Sequence, residues 1–428
     1  MDGPAPLTGD RARPAVDAHG LELLRRHAPI LRFDSMESLR PCAIDAFVDA
    51  SIMCEYVAHD DSVAVALDGS GLERLAAAGE PCWQLDPLGE RRPEGTARRS
   101  AALLAEFRAA QDPRAQGLCY GSVVETARAY FLQYWLFYVD NPCVLGFGRH
   151  DGDWESVQVR VGKRAGRATH VTVSQHGGPE TRRMPAGQSR PEVFVAVDSH
   201  ASYLVPGSQP MLPLSDVCDG GQRPEIDLVV EPLPAAGWPL WRGRWGVDRG
   251  PGTLIAHWLH LRWTPALLRL VNRRAPAGDS PVSPGWQSNW PSPARTQARS
   301  VLHTGTRVAP HRFAHWLGNL TWPKSAPALH VVRAAPDLVT VRAEPSGRGL
   351  RRVRRVALLF HEQAGLPLAH YAVRADGELH TLELPASTQP LAWRAAGYNR
   401  LRQRGLASAS LPLPDSAAPD VAADAAAA

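Results

Sequence analysis

The sequence predicts an all-β protein: a large β-sandwich with peripheral helices and long loops, followed by a small second β-sandwich. Three observations predict it. Short apolar or alternating runs with turn signals between them fill residues 120–200, among them "YFLQYWLFYV", "WESVQVRV", "HVTVSQH" and "EVFVAVDSH". A compact second set follows residue 325: "ALHVVRA", "LVTVRAE", "RRVALLFHE", "LAHYAVRA" and "GELHTLEL". Between the two lies 201–300, rich in Pro, Gly and Trp and poor in periodicity. The expected organisation is a disordered leader over 1–16, the large domain over 17–322, the small one over 326–405 and a disordered tail over 406–428.

Element by element, "DAHGLELLRRHAP" reads as a short helix with Leu21 and Leu24 inward and Pro29 as its stop. "ILRF" and "AFVDASIMCEYV" read as strands, 71–79 and 97–111 as short helices, and "EPCWQLDPLGERRPEG" as the loop between them. The run 127–139 is apolar on both faces and is expected to be a central strand. The segment "TLIAHWLHLRWTPALLRLVNRR" (253–274) is an aromatic, basic helix candidate that Pro265 would kink. The "ADGE" turn at 375–378 joins two strands of the second domain. Strand number and style make that domain immunoglobulin- or fibronectin-like.

Composition narrows the function classes. The 428 residues are 44% hydrophobic and 21% charged, with a net charge of +4. That is ordinary for a globular protein and argues for no acidic partner. Nearly all the cations are Arg, Lys163 and Lys324 being the exceptions. With no nucleic-acid motif present, the skew reads as coding bias and no nucleic-acid partner is expected. No apolar leader and no membrane-length run is found, so a cytoplasmic protein is expected, with peripheral membrane contact through 253–274 as the membrane option. Cys42, Cys54, Cys82, Cys119, Cys143 and Cys218 show no zinc spacing and are expected to be reduced.

The chemistry gathers at "GFGRHDGDWESVQVRV" (146–161). Residues two apart on a strand point the same way, so Asp153 and Glu155 share a face with Val157, Val159 and Val161. His150 stands just ahead of them, and glycines at 146, 148 and 152 let the preceding loop turn tightly. Two other strands end similarly, one in His176, the other in Asp198, Ser199 and His200. Two readings are open. One is a hard divalent cation, Mg²⁺, Ca²⁺ or Mn²⁺, with Zn²⁺ less favoured because no thiolate is at hand. The other is a structural polar network in which Arg149 or Arg160 offsets the acids.

The chain resembles the vacuolar-protein-sorting-associated family of fungi and plants, with bacterial relatives. The shared stretches are "HAPILRFDSMESLRP", "YWLFYVDN", "HDGDWESVQV", "VSQHGG", "VAVDSHASY", "WRGRWG" and "SPGWQSNWP", in order over roughly residues 25–295. More distantly it resembles the necrosis- and ethylene-inducing peptide-like proteins, β-sandwiches in which a His, an Asp and a Glu hold a divalent cation needed for membrane damage. That resemblance makes His150, Asp153 and Glu155 metal-ligand candidates. Asp140 in "YVDN" would stand for a further Asp and His200 for a later His. The second His of the toxin motif is Gly152 here.

The function expected from these readings is metal-assisted binding of lipid headgroups or glycans, without catalysis. His176, Tyr203, Trp241 and Trp245 are expected near the ligand, and Trp238, Trp286 and Trp290 add flat apolar surface. Plain packing of long loops over a sheet explains the same tryptophans. The alternatives are a metal-dependent hydrolase with His176 or His200 as general base, and a membrane-active, toxin-like protein.

Overall fold

The computed structural model describes residues 13–58, 61–64, 71–72, 75, 83–87, 117–142, 150–175, 179–211, 214–220, 227–247, 280–287, 289–290, 292–300, 323, 328–362, 367–384, 390–398 and 404–413. Strands dominate them, arranged in several sheets. Of the expected elements, the helices at 97–111 and 253–274 lie outside the described residues, as do His176, Cys82 and Cys143.

The chain enters through α1 (Ala18–Arg26), capped by Asp17, whose Oδ1 accepts from the Gly20 amide at 2.7 Å. Leu24 is the buried anchor, and Gly121 leaves room for it: a Cβ there would lie 2.7 Å from a Leu24 methyl. Strand β1 (Ile30–Phe33) follows and pairs in parallel with β10 (Glu192–Val195), which pairs with β11 (Ser202–Tyr203). The stretch expected as one strand from residue 46 divides into a one-turn helix, α2 (Asp45–Asp49), and β2 (Ile52–Ala58). β2 pairs with β3 (Asp61–Ala64) and β4 (Trp83–Asp86). β4 corrects the expected loop at 80–95: Gln84, Leu85 and Asp86 are buried there, and burial makes backbone pairing obligatory.

Six strands form the central sheet: β5 (Leu118–Glu125), β6 (Ala129–Asn141), β7 (His150–Gly162), β8 (Arg167–Val173), β9 (Glu180–Arg183) and β14 (Val229–Pro232), in the order β14-β5-β6-β7-β8-β9. β12 (Gly207–Met211) and β13 (Leu214–Cys218) make a separate hairpin. The long β6–β7 pair carries the architecture. On one face Leu132, Tyr134 and Leu136 of β6 stand opposite Val159, Val157 and Glu155 of β7. On the other, Gln133, Trp135 and Phe137 stand opposite Gln158, Ser156 and Trp154. Both faces are buried, as the doubly apolar run of β6 requires.

The second face is roofed by the Trp-rich segments. Trp238, Trp241, Trp245 and Trp290 are buried in the first core, with Trp245 edge-on to Phe137 and Trp154 and its Nε1 donating to Ser283 Oγ at 2.7 Å. Arg13, expected in a disordered leader, is fixed on that face. It donates to Ser122 Oγ (2.8 Å) and Gln133 Oε1 (2.5 Å) and lies over the Trp290 ring.

A second core is built by two further sheets. β15 (Ala328–Ala335), β16 (Leu338–Glu344) and β19 (Leu379–Glu383) form one. β17 (Arg355–Glu362), β18 (Pro367–Arg374), β20 (Leu391–Tyr398), β21 (Arg404–Ala407) and β22 (Leu411–Pro412) form the other. β21 and β22 carry ordered structure to residue 412, past the expected end at 405. Among the described residues no helix is long and apolar enough to cross a membrane.

Candidate functional site

β7 begins at His150, four residues earlier than alternation suggested, so His150 and Asp151 belong to the strand together with Asp153 and Glu155. Across the β6–β7 ladder Asn141 faces His150, Asp140 faces Asp151, Tyr138 faces Asp153 and Leu136 faces Glu155. Gly152 interrupts the row with a φ of +61°. The backbone here touches the tryptophan roof: a Cβ on Gly152 would stand 2.4 Å from the Trp245 carbonyl oxygen. Only glycine combines that φ with that approach.

Two turns converge on these acids. β1 and β10 run in parallel, so their C-terminal ends lie side by side, with Phe33 opposite Val195. From β1 leaves the turn carrying Glu37; from β10 leaves the turn 197–200. In the latter, Asp198 and His200 take φ values of 65° and 53°. Side chains rarely adopt this left-handed region unless their surroundings impose it. The imposing contacts are visible. Glu37 Oε2 accepts from the Asp198 amide (2.7 Å) and Oε1 from the Leu39 amide (2.6 Å). His200 Nδ1 donates to Asp153 Oδ2 at 3.0 Å.

His200 is therefore held between two carboxylates. Its Nε2 lies 3.7 Å from Glu37 Oε1, and its ring stacks on Tyr138 with centroids 4.0 Å apart and planes 1° from parallel. The imidazole is 0% exposed. Burial alone would push its pKa down. The charge of Glu37, with the charge of Asp153 and its hydrogen bond, more than offsets this and raises it to about 10. For Glu37, burial acts upward, but the imidazolium and the backbone amides hold its carboxyl below its ordinary value. Arg40 is lowered by burial, opposed by the Glu37 charge, to about 10, and so stays cationic. The Tyr138 hydroxyl is pushed up by burial and by the neighbouring charges of Glu155, Glu37 and Asp153. The positive charge between the acids is thus an imidazolium.

The expected ligand set is only partly assembled. Asp153 and His200 meet directly. Asp153 Oδ2 also accepts from Asn141 Nδ2 at 3.3 Å. Glu155, half-buried, accepts from Ser174 Oγ. His150 spends Nδ1 on the Gly152 carbonyl at 2.7 Å. Asp140 is buried opposite Asp151. Among the described residues no three His, Cys, Asp or Glu side chains converge as a cation-binding group. Of the two arginines expected to offset the acids, Arg160 donates to Thr169 at 2.9 Å and Arg149 lies outside the described residues.

The expected ligand contacts differ more. Trp241 and Trp245 are 2% and 0% exposed and belong to the core, because the sheet's second face needs a cover. Tyr203 is buried, with its hydroxyl donated to Asp216 Oδ2. Sequence reasoning did not single out Glu37, Tyr138, Asn141 or Ser174. The one available signal was "DSMES", a pair of acids in an aperiodic segment directly after a strand.

No established family profile matches the chain, and none of the curated proteins compared does. Among solved structures, one described as a toxin fold for microbial attack and plant defense is 12% identical, covering 51% of this chain and 76% of that one, with a TM-score of 0.25. Necrosis and ethylene inducing protein 2 from the causal agent of cocoa's witches broom disease is 15% identical over the same shares, with a TM-score of 0.26. The fn3 domain of human collagen alpha-1(XX) chain is 20% identical, covering 23% of this chain and 93% of its own, with a TM-score of 0.18. The likeness to the toxin fold is distant, and the vacuolar-sorting resemblance stands on the quoted motifs alone.

Proposed function

We propose that the chain is a binding protein that takes a neutral, hydroxyl-rich group, a glycan or the sugar of a lipid headgroup, on the carboxylates of Asp153 and Glu155. The observation that carries this reading is the state of Asp153. Both of its hydrogen bonds fall on Oδ2, from His200 and Asn141, which fixes the carboxylate plane and keeps Oδ1, on a residue 6% exposed, as the acceptor for a ligand hydroxyl. Glu155, next on the same strand face, is oriented by Ser174. Acceptors already held in place cost a ligand little ordering. Sugar hydroxyls donate to carboxylates, whereas a phosphate would meet like charge.

Catalysis has less support. A general base must titrate near the working pH, and His200, one of the two candidate bases, is protonated until about pH 10 and fully buried; the other, His176, lies outside the described residues. A resident metal has no ready ligand group either, since among the described residues His150, Asp153 and Glu155 do not converge. No step of this reading passes through a cation.

The test is retention on a panel of immobilised neutral glycans and on anionic phospholipid vesicles, with and without EDTA. The wild type is compared with Glu155→Gln, which spares the Asp153–His200 pair. Chelator-insensitive glycan binding, weakened tenfold or more in Glu155→Gln, is expected. Binding to vesicles alone, or glycan binding indifferent to the substitution, would overturn the reading. Binding abolished by EDTA would return the cation to the site.

A further inference from the structure

The five-stranded sheet of the second core is covered on both sides, whereas the outer face of a two-layer sandwich is ordinarily solvated. Val356, Leu358 and Phe360 of β17, with Trp393 and Ala395 of β20, face their own sandwich. The alternate residues, Ala357, Leu359, Ala396 and Tyr398, form a separate apolar cluster with Met36 and Val197 of the first body.

Polar groups of the two bodies face one another around that cluster. Leu359 is register partner to His370 on β18 and Arg394 on β20, so the three form one row on this face. His370 Nδ1 lies 4.0 Å from Asp198 Oδ1. Arg394 is 7% exposed and feels the charge of Asp219. Asp219 in turn accepts from the Ser35 amide at 2.8 Å and from its hydroxyl, and its own amide donates to Asp34 Oδ2 at 2.9 Å. The segments gripped are those that build the site. Met36 is the neighbour of Glu37, and Val197 and Asp198 begin the turn that ends in His200.

We infer that the C-terminal sandwich is a docked buttress of the candidate site, its β17/β20 face holding the 34–37 and 197–200 turns in the conformation that sets Glu37 against His200. The left-handed backbone of Asp198 and His200 is held from within by Glu37 and Asp153, and the Leu359 row adds an apolar plug against the same turns. This role stands whatever the site binds.

Hydrogen exchange on the full chain tests it. The amides of Leu39 and Asp198 both donate to Glu37, and that of Asp219 donates to Asp34. In Leu359→Arg these amides should exchange at least tenfold faster, while amides of β6 and β7 keep their protection. Unchanged protection at all three, in a variant whose scattering profile shows the sandwiches parted, would overturn the inference. A second arm covers a variant that fails to fold. A protease site inserted between residues 323 and 328 of the otherwise native chain is cut after folding. Co-elution of the two fragments at micromolar concentration supports docking, and their separation refutes it.

Discussion

At the scale of single residues, the centre is a buried imidazolium that two carboxylates share. Removing one partner of such a group leaves charge stranded in a low-dielectric interior, which costs about 3–5 kcal/mol. His200→Gln should therefore destabilise the protein by about that much, read from urea unfolding at pH 6. Glu37→Gln should lower the His200 pKa, because Glu37 supplies the strongest of the raising charges. The pH dependence has a definite sign. His200 titrates at about 10 when folded, against an ordinary 6.5. Its contribution is complete below pH 6.5 and is lost as pH climbs from there through about 10. Glu37 is depressed, so its share is present above its ordinary 4.5 and lost as pH falls through the lower folded value. Between pH 5.5 and 8.5 the wild type should lose about 2–3 kcal/mol from this source, at about 1.36 kcal/mol per pH unit. His200→Gln should lose none of it. The residue types were legible in "HDGDWES" and "DSHASY", and so was the need for a positive charge beside the acids. The source of that charge was not, because Glu37 lies 163 residues from His200 and meets it through the parallel β1–β10 pairing.

At the scale of elements, the start of β7 and the Trp245 loop are pressed backbone to backbone. The Asp151 amide donates to the Val247 carbonyl at 3.1 Å. A Cβ on Gly246, whose φ is +109°, would sit 1.8 Å from the Asp151 carbonyl oxygen. No side chain moves away from that contact; backbone must. Gly246→Ala should cost about 3 kcal/mol or more in thermal or urea unfolding. Trp245→Ala should cost about 3–5 kcal/mol through the cavity it leaves among Phe47, Phe137, Trp154 and Trp238. Alternation and doubly apolar runs located β6, β7, β8 and most strands of the second core. They failed at β4, where four residues between prolines and glycines carry too short a pattern to read. They also failed for the tryptophans, since aperiodic loops give no sign of which surface they cover.

At the scale of the whole molecule, two cores meet through one apolar cluster, and the meeting place lies against the turns that carry Glu37 and His200. The all-β class was legible in strand style. The docking of the two cores was not, because Ala357, Leu359 and Ala396 alternate as any sandwich strand does, and burial of the outer face shows only in three dimensions. The central claim, that a cationic His200 stands between Glu37 and Asp153, has one direct measurement: the imidazole ¹⁵N resonances of His200 in the full-length protein from pH 5 to 11. Both nitrogens should hold the shifts of a doubly protonated ring well past neutrality and titrate near pH 10, and in Glu37→Gln at a lower pH. A His200 ring that turns neutral near pH 6.5 would contradict the account.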